Sequence, residues 1–200
     1  MEKKNKISTL QIVEMAVLMA LVAVLQITGT AIPLGGTPVS LVLIPIVLGA
    51  MLLGPYAGAF LGLEFGIIVY IMGFTGADGF TFILIQDHPI YTALICLVKG
   101  AAAGLAAGYT YRLLANKNKV AAVFAAAAVT PLVNTALFIL GALCMQSTLR
   151  SNFLAEGQTV VYFLVVVCAG LNFIFELLLN LLVAPALVRV MDVLHRRLKL

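Results

Sequence analysis

The chain has 200 residues, 63% of them hydrophobic and only 10% charged, with a formal net charge of +4 and a mean hydropathy of +1.15. Soluble domains are roughly 45–50% apolar and about 25% charged, so an ordinary globular fold is excluded and one integral membrane domain over residues 1–200 is expected. The surplus of base needs no nucleic-acid partner, because the charges fall at the ends of apolar segments.

The N-terminus, MEKKNKISTLQIVEMAVLMA, starts charged and turns apolar as a secretory signal does. Its apolar run is too long, and no small-x-small cleavage site ends it. A retained first span over residues 8–31 is therefore expected, with Ser8 and Gln11 at capping-box spacing. Ala16 and Ala20 form a small-xxx-small pair with Ala23 near the same face, a pattern that suits packing against a neighbouring helix. Next comes IPLGGTP, in which two prolines bracket Gly35-Gly36. It is uncharged and not helical, and serves either as a connection or as a lid over a site.

The second span (residues 39–53) and the third (56–73) have only Gly54-Pro55 between them. Glycine supplies the left-handed residue that ends one helix, and proline suits the first turn of the next. A tight membrane hairpin follows. At 1.5 Å per residue the second span reaches only about 22 Å of a ~30 Å hydrocarbon core, so it must be buried or continued by its flanks. Gly54, Gly58, Gly62 and Gly66 share one face of the third helix and would let another backbone approach closely. Glu64 is the lone carboxylate in that apolar run.

The loop FTGADGFTFILIQDHP holds Asp78, Asp87 and His88 but no Lys or Arg. A fourth span over 90–114 carries Lys99 and a second glycine ladder, Gly100, Gly104 and Gly108. The basic turn Asn116-Lys117-Asn118-Lys119 leads to a fifth span over 120–145, interrupted by Pro131 just before Asn134. The sixth span, 159–190, places Asn172, Glu176 and Asn180 four residues apart and ends in a basic tail. Cys96, Cys144 and Cys168 match no metal or redox spacing and read as packing residues.

Lys3, Lys4, Lys6, Arg112, Lys117, Lys119, Arg189, Arg196, Arg197 and Lys199 fall on one side of these spans, and of the basic residues only Arg150 falls on the other. The positive-inside rule then gives an all-α, six-helix transmembrane bundle in the plasma membrane with both termini cytoplasmic. Counting from the helix ends puts Lys99 roughly 13 Å below the outer surface, with Asn134 and Asn172 at similar depth. Glu176 is a turn deeper and Asn180 deeper again. Two readings fit this polar belt. One is an ion pair from Lys99 to Glu176 or Glu64 with amide cross-links that hold the helices together. The other is a cavity lined by Lys99, Asn134, Asn172 and Glu176 that takes a polar solute from outside.

Enzymatic readings find no support. No Ser and His share a depth, His88 and His195 lie on opposite sides, and no HExxH, paired-aspartate or nucleotide-loop motif occurs. No metal and no cofactor are expected.

Six spans with both ends inside, alanines four apart in the first, an uncharged Gly/Pro loop, the hairpin VSLVLIPIVLGAMLLGPYAGAFLG and the closing NFIFELLLNLLVAPALVRV together resemble a substrate-binding S component of an energy-coupling factor (ECF) vitamin transporter. The resemblance covers nearly the whole chain. It implies a vitamin or precursor bound on the outer side by the first loop (here Gly35, Gly36 and Thr37) and the last three spans, where Lys99, Asn134, Asn172, Glu176 and Asn180 lie. It also implies partners: a transmembrane coupling subunit, docked on Ala16 and Ala20, and two cytosolic ATPases. The chain is most similar to the pantothenate-type branch, and a buried Lys99 beside amides suits a small hydroxylated carboxylate. Glu64 and Glu176 keep amine-bearing, pyridoxine-like and queuosine-precursor solutes open. A stand-alone proton-coupled carrier and a purely structural membrane protein are the competing classes.

Overall fold

A computed structural model describes residues 8–29, 33–34, 37–38 and 41–198. The described residues form helices joined by turns and one pair of two-residue strands. In chain order they form α1 (Thr9–Gly29), β1 (Pro33–Leu34), β2 (Thr37–Pro38), α2 (Leu43–Leu52), α3 (Pro55–Phe74), α4 (Gly79–Asp87), α5 (Pro89–Ala115), α6 (Lys119–Ala142), α7 (Gln146–Asn152), α8 (Val160–Tyr162) and α9 (Gly170–Leu198). Five stretches, Thr9–Gly29, Pro55–Phe74, Pro89–Ala115, Lys119–Asn152 and Val160–Val193, are long and apolar enough to cross a membrane.

The capping box expected at the start of α1 is present. Gln11 Oε1 accepts from the Ser8 amide at 3.0 Å, and Ser8 Oγ accepts from the Gln11 amide at 3.2 Å. Beyond α1 the loop pairs β1 with β2 antiparallel, Pro33 opposite Pro38 and Leu34 opposite Thr37.

The α2–α3 hairpin turns at Gly54, whose φ of 104° is open to glycine and strained for other residues. Pro55 follows at the first position of α3. The helix α2 is shorter than its sequence implies, ten residues or about 15 Å. Leu41 and Val42 turn instead of continuing it. So short a helix is tolerated because it is enclosed: Leu43, Ile46 and Val47 are fully buried. Pro45 removes no hydrogen bond, since its missing N–H falls in the first turn.

The two glycine ladders meet. A Cβ at Gly62 would collide with the Gly100 carbonyl, one at Gly104 with the Gly58 carbonyl, and one at Gly66 with the Cys96 carbonyl. Antiparallel α3 and α5 therefore touch backbone to backbone along three turns, the approach that small residues allow in lipid. On the far side of α3, α1 packs through Leu18 and Val22 into a cluster with Leu43, Ile46, Leu61 and Phe65. A second cluster, with Val47, Tyr111, Ala126 and Met191, joins α2, α5, α6 and α9. A third, including Phe80, Leu84, Met145 and Leu149, closes the opposite end with α4 and α7.

Three differences from the expected elements bear on the site. The stretch after α3 is not a plain loop, because Asp78 caps α4. Its Oδ1 accepts from the Thr81 amide at 3.2 Å and its Oδ2 from the Thr81 hydroxyl at 2.7 Å. The fifth span continues past Ala142 through a tight turn, Leu143–Met145, into α7. The last span is broken: Phe163–Cys168 is a π-helical turn in which the Ala169 amide reaches the Leu164 carbonyl at 2.9 Å. A residue too many in one turn re-aims everything after it, and such turns gather at functional positions.

Candidate functional site

The polar side chains of the belt line one chamber. It lies at the end of the bundle away from Arg112, Lys117, Lys119 and Arg189. Lys99 of α5, Asn134 of α6, and Asn172 and Glu176 of α9 all border it. Each reaches it for a local reason. Lys99 is one residue before Gly100 in α5, so it points away from the glycine seam by about 100° of helical turn. Asn134 is a turn beyond Pro131, which has no N–H to give the Ala127 carbonyl. Asn172 and Glu176 follow the π-helical turn at one-turn spacing.

Lys99 makes no ion pair among the described residues, neither to Glu64 nor to Glu176. Its ammonium lies instead between two rings, 5.6 Å from the centre of Phe65 and 5.2 Å from that of Phe138. Ring faces attract a cation but leave its three N–H donors unused. The amides are incompletely bonded too. The Asn172 amide donates to Glu176 Oε1 at 3.4 Å, while Asn134 Oδ1 and Asn172 Oδ1 are buried and accept nothing from the described residues. A buried acceptor left empty costs about 1–3 kcal/mol. Asn134 is only 7% exposed. The chamber thus offers a spare cation and spare acceptors side by side, the complement of a solute bearing both an anionic group and N–H or O–H donors.

Four further polar residues border the void that the sequence reading did not place at the site: Gln26 of α1, Asp78 and Thr81 at the head of α4, and Thr135 of α6. Gln26 had a signal, being an amide deep in the apolar run of the first span; it is buried, at 5% exposure. Asp78 had another, since Asp followed three residues later by Thr before a short apolar run is a helix start. Above the void, Phe80 of α4 meets Phe138 at 5.8 Å and Phe153 at 4.8 Å between ring centres, so α4 roofs the chamber with aromatic contacts.

Other expected residues fall elsewhere. Asn180 is buried but does not border the void; its amide donates to the Glu176 carbonyl at 2.8 Å, one turn below. Glu64 is also absent from the lining. Gly35 and Gly36 lie outside the described residues, and Thr37 is placed only as part of β2. Ala16 and Ala20 are exposed on the side of α1 turned away from the buried Leu18, Val22 and Gln26, so they do not pack inside the bundle.

Over residues 10–188 the chain matches the family of substrate-specific components of ECF transporters. The chain belongs to this family. No curated protein matches it. As an S component it is a multi-pass membrane protein and the substrate-binding part of a transporter, and its family is not one of enzymes. Membership in an ECF transporter also implies association with the other subunits and a small-molecule substrate.

Proposed function

We propose that this S component holds a small hydroxylated carboxylate, pantothenate being the best fit, in the chamber bordered by Lys99, Asn134, Asn172 and Glu176. The observation that carries the reading is the unpaired Lys99 ammonium facing two empty amide acceptors. A carboxylate would take the N–H donors of Lys99, and the ligand's hydroxyl and amide protons would fill the Oδ1 atoms of Asn134 and Asn172. Asn180, one turn below, supports Glu176 through its main-chain carbonyl instead of meeting the solute. The loop containing Gly35, Gly36 and Thr37 would cover the mouth.

In this reading six helices cross the bilayer, α2 as the short buried one, with both termini cytoplasmic. The basic end faces the cytoplasm as the positive-inside rule requires, and the chamber faces outward. The exposed Ala16 and Ala20 receive the transmembrane coupling subunit, which works with two cytosolic ATPases to release the vitamin inside.

Calorimetric titration of pantothenate into the purified protein tests the substrate. Saturable one-to-one binding by the wild type, weakened about tenfold to a hundredfold in Lys99→Met, is the expected result. Equal binding by both proteins would remove Lys99 from the site, and no binding by either would remove pantothenate. Ala16→Trp and Ala20→Trp should leave that titration unchanged and stop uptake by the assembled transporter.

A further inference from the structure

Glu64 is the one carboxylate within the membrane-spanning part of α3 and takes no part in the chamber. Its neighbours along the helix fix where it sits. Leu61 and Ile68, three residues before it and four after, belong to the cluster that α1 enters through Leu18 and Met19. Phe60 and Ile67, on its other flank, are 49% and 45% exposed and face outward. Side chains three and four apart share a helix face, so Glu64 marks the line where the α1–α3 contact ends and the outer surface begins. Its Oε2 is buried and has no hydrogen-bond partner among the described residues.

A carboxylate at membrane depth is expensive and normally meets a donor. The described residues do not supply one, and lipid tails have none. We propose that Glu64 is a docking residue. It accepts a charge-assisted hydrogen bond from an Arg, Lys or other side-chain donor on a membrane helix of the transporter's coupling subunit, which lies against the outer side of α1 and α3. Charge complementarity names the occupant: a helix with one polar donor in an otherwise apolar face. The outer side of α1 suits such a neighbour, since Val13, Val17 and Val24 are all more than half exposed there. This inference rests on the proposed association through α1 and adds a polar contact on α3 that fixes the register of the pair.

The test is recovery of the coupling subunit with the tagged S component, co-expressed with the full transporter, for wild type, Glu64→Leu, Glu64→Gln and the apolar control Ile67→Leu. Glu64→Leu should lower recovery about tenfold or more, the loss of one charge-assisted hydrogen bond. Glu64→Gln, which keeps a neutral acceptor, should fall between, and Ile67→Leu should match wild type. The isolated Glu64→Leu protein should melt at a higher temperature than wild type, because it no longer buries an unbonded oxygen. Its ligand binding should be unchanged. Full recovery with Glu64→Leu beside a working wild type overturns the docking role alone. A parallel loss of ligand binding overturns it too, by making Glu64 a residue of the chamber. Failure of the wild type to retain the coupling subunit overturns both this inference and the association on which it rests.

Discussion

Two faces of α5, one residue apart, follow opposite rules. At Gly100 the helix meets α3 backbone to backbone, with no room for a methyl group. At Lys99 it opens onto a void bordered by the Oδ1 atoms of Asn134 and Asn172, which accept no hydrogen bond among the described residues. The seam is complete within the chain. In the proposed reading the chamber is complete only with its solute in place. A membrane bundle gains little from apolar burial between helices, because lipid is as apolar as leucine. It can therefore leave one region loosely filled and polar only where another is packed to contact, and α3 with α5 provides that frame.

The sharpest way to break this contrast is to put a side chain into the seam. Gly62→Leu should prevent recovery of a monodisperse protein in size-exclusion chromatography, since the branch would have to displace the Gly100 carbonyl. Overpacking of this kind costs about 1–3 kcal/mol when the core can yield, and more when it meets backbone. On the chamber side, Lys99→Met should leave folding intact and weaken ligand binding about tenfold to a hundredfold, as loss of a charged hydrogen bond of about 1.5–3 kcal/mol implies. Asn134→Leu should weaken binding about fivefold by calorimetry, the loss of one neutral hydrogen bond of about 1 kcal/mol. The ligand-free Asn134→Leu protein should melt higher, because an empty buried acceptor is gone. A seam residue cannot show that opposite movement of affinity and stability. The smallest change belongs to the roof: Asp78→Ala removes the cap of α4 and should cost about 1 kcal/mol, read as a lower melting temperature.

The seam was half visible in the sequence. Four-residue glycine spacing marks each ladder, and the Gly54-Pro55 turn marks the hairpin, because these depend on one helix at a time. That the ladders face each other is a tertiary fact with no local signature. The chamber was legible as to its main polar groups, since Lys99, Asn134, Asn172 and Glu176 stand out in apolar runs and their depth follows from counting. Counting gives height and not direction. Asn180 shares the one-turn spacing of Asn172 and Glu176 yet turns to the Glu176 carbonyl, and Glu64 sits at depth on the wrong side of α3. The helix α4 was hidden because nine residues are too few for a span. The π-helical turn was hidden because an apolar run such as Phe163–Cys168 has no polar residue to show a shifted face.

The central claim is that the chamber exists to hold a polar solute, and native mass spectrometry of the freshly purified protein tests it most directly. The account predicts one retained small molecule per chain, carrying an acidic group and hydroxyl or amide protons, and its disappearance in Lys99→Met. A wild-type protein that carries nothing, and binds nothing across a panel of vitamins and their precursors, would contradict it.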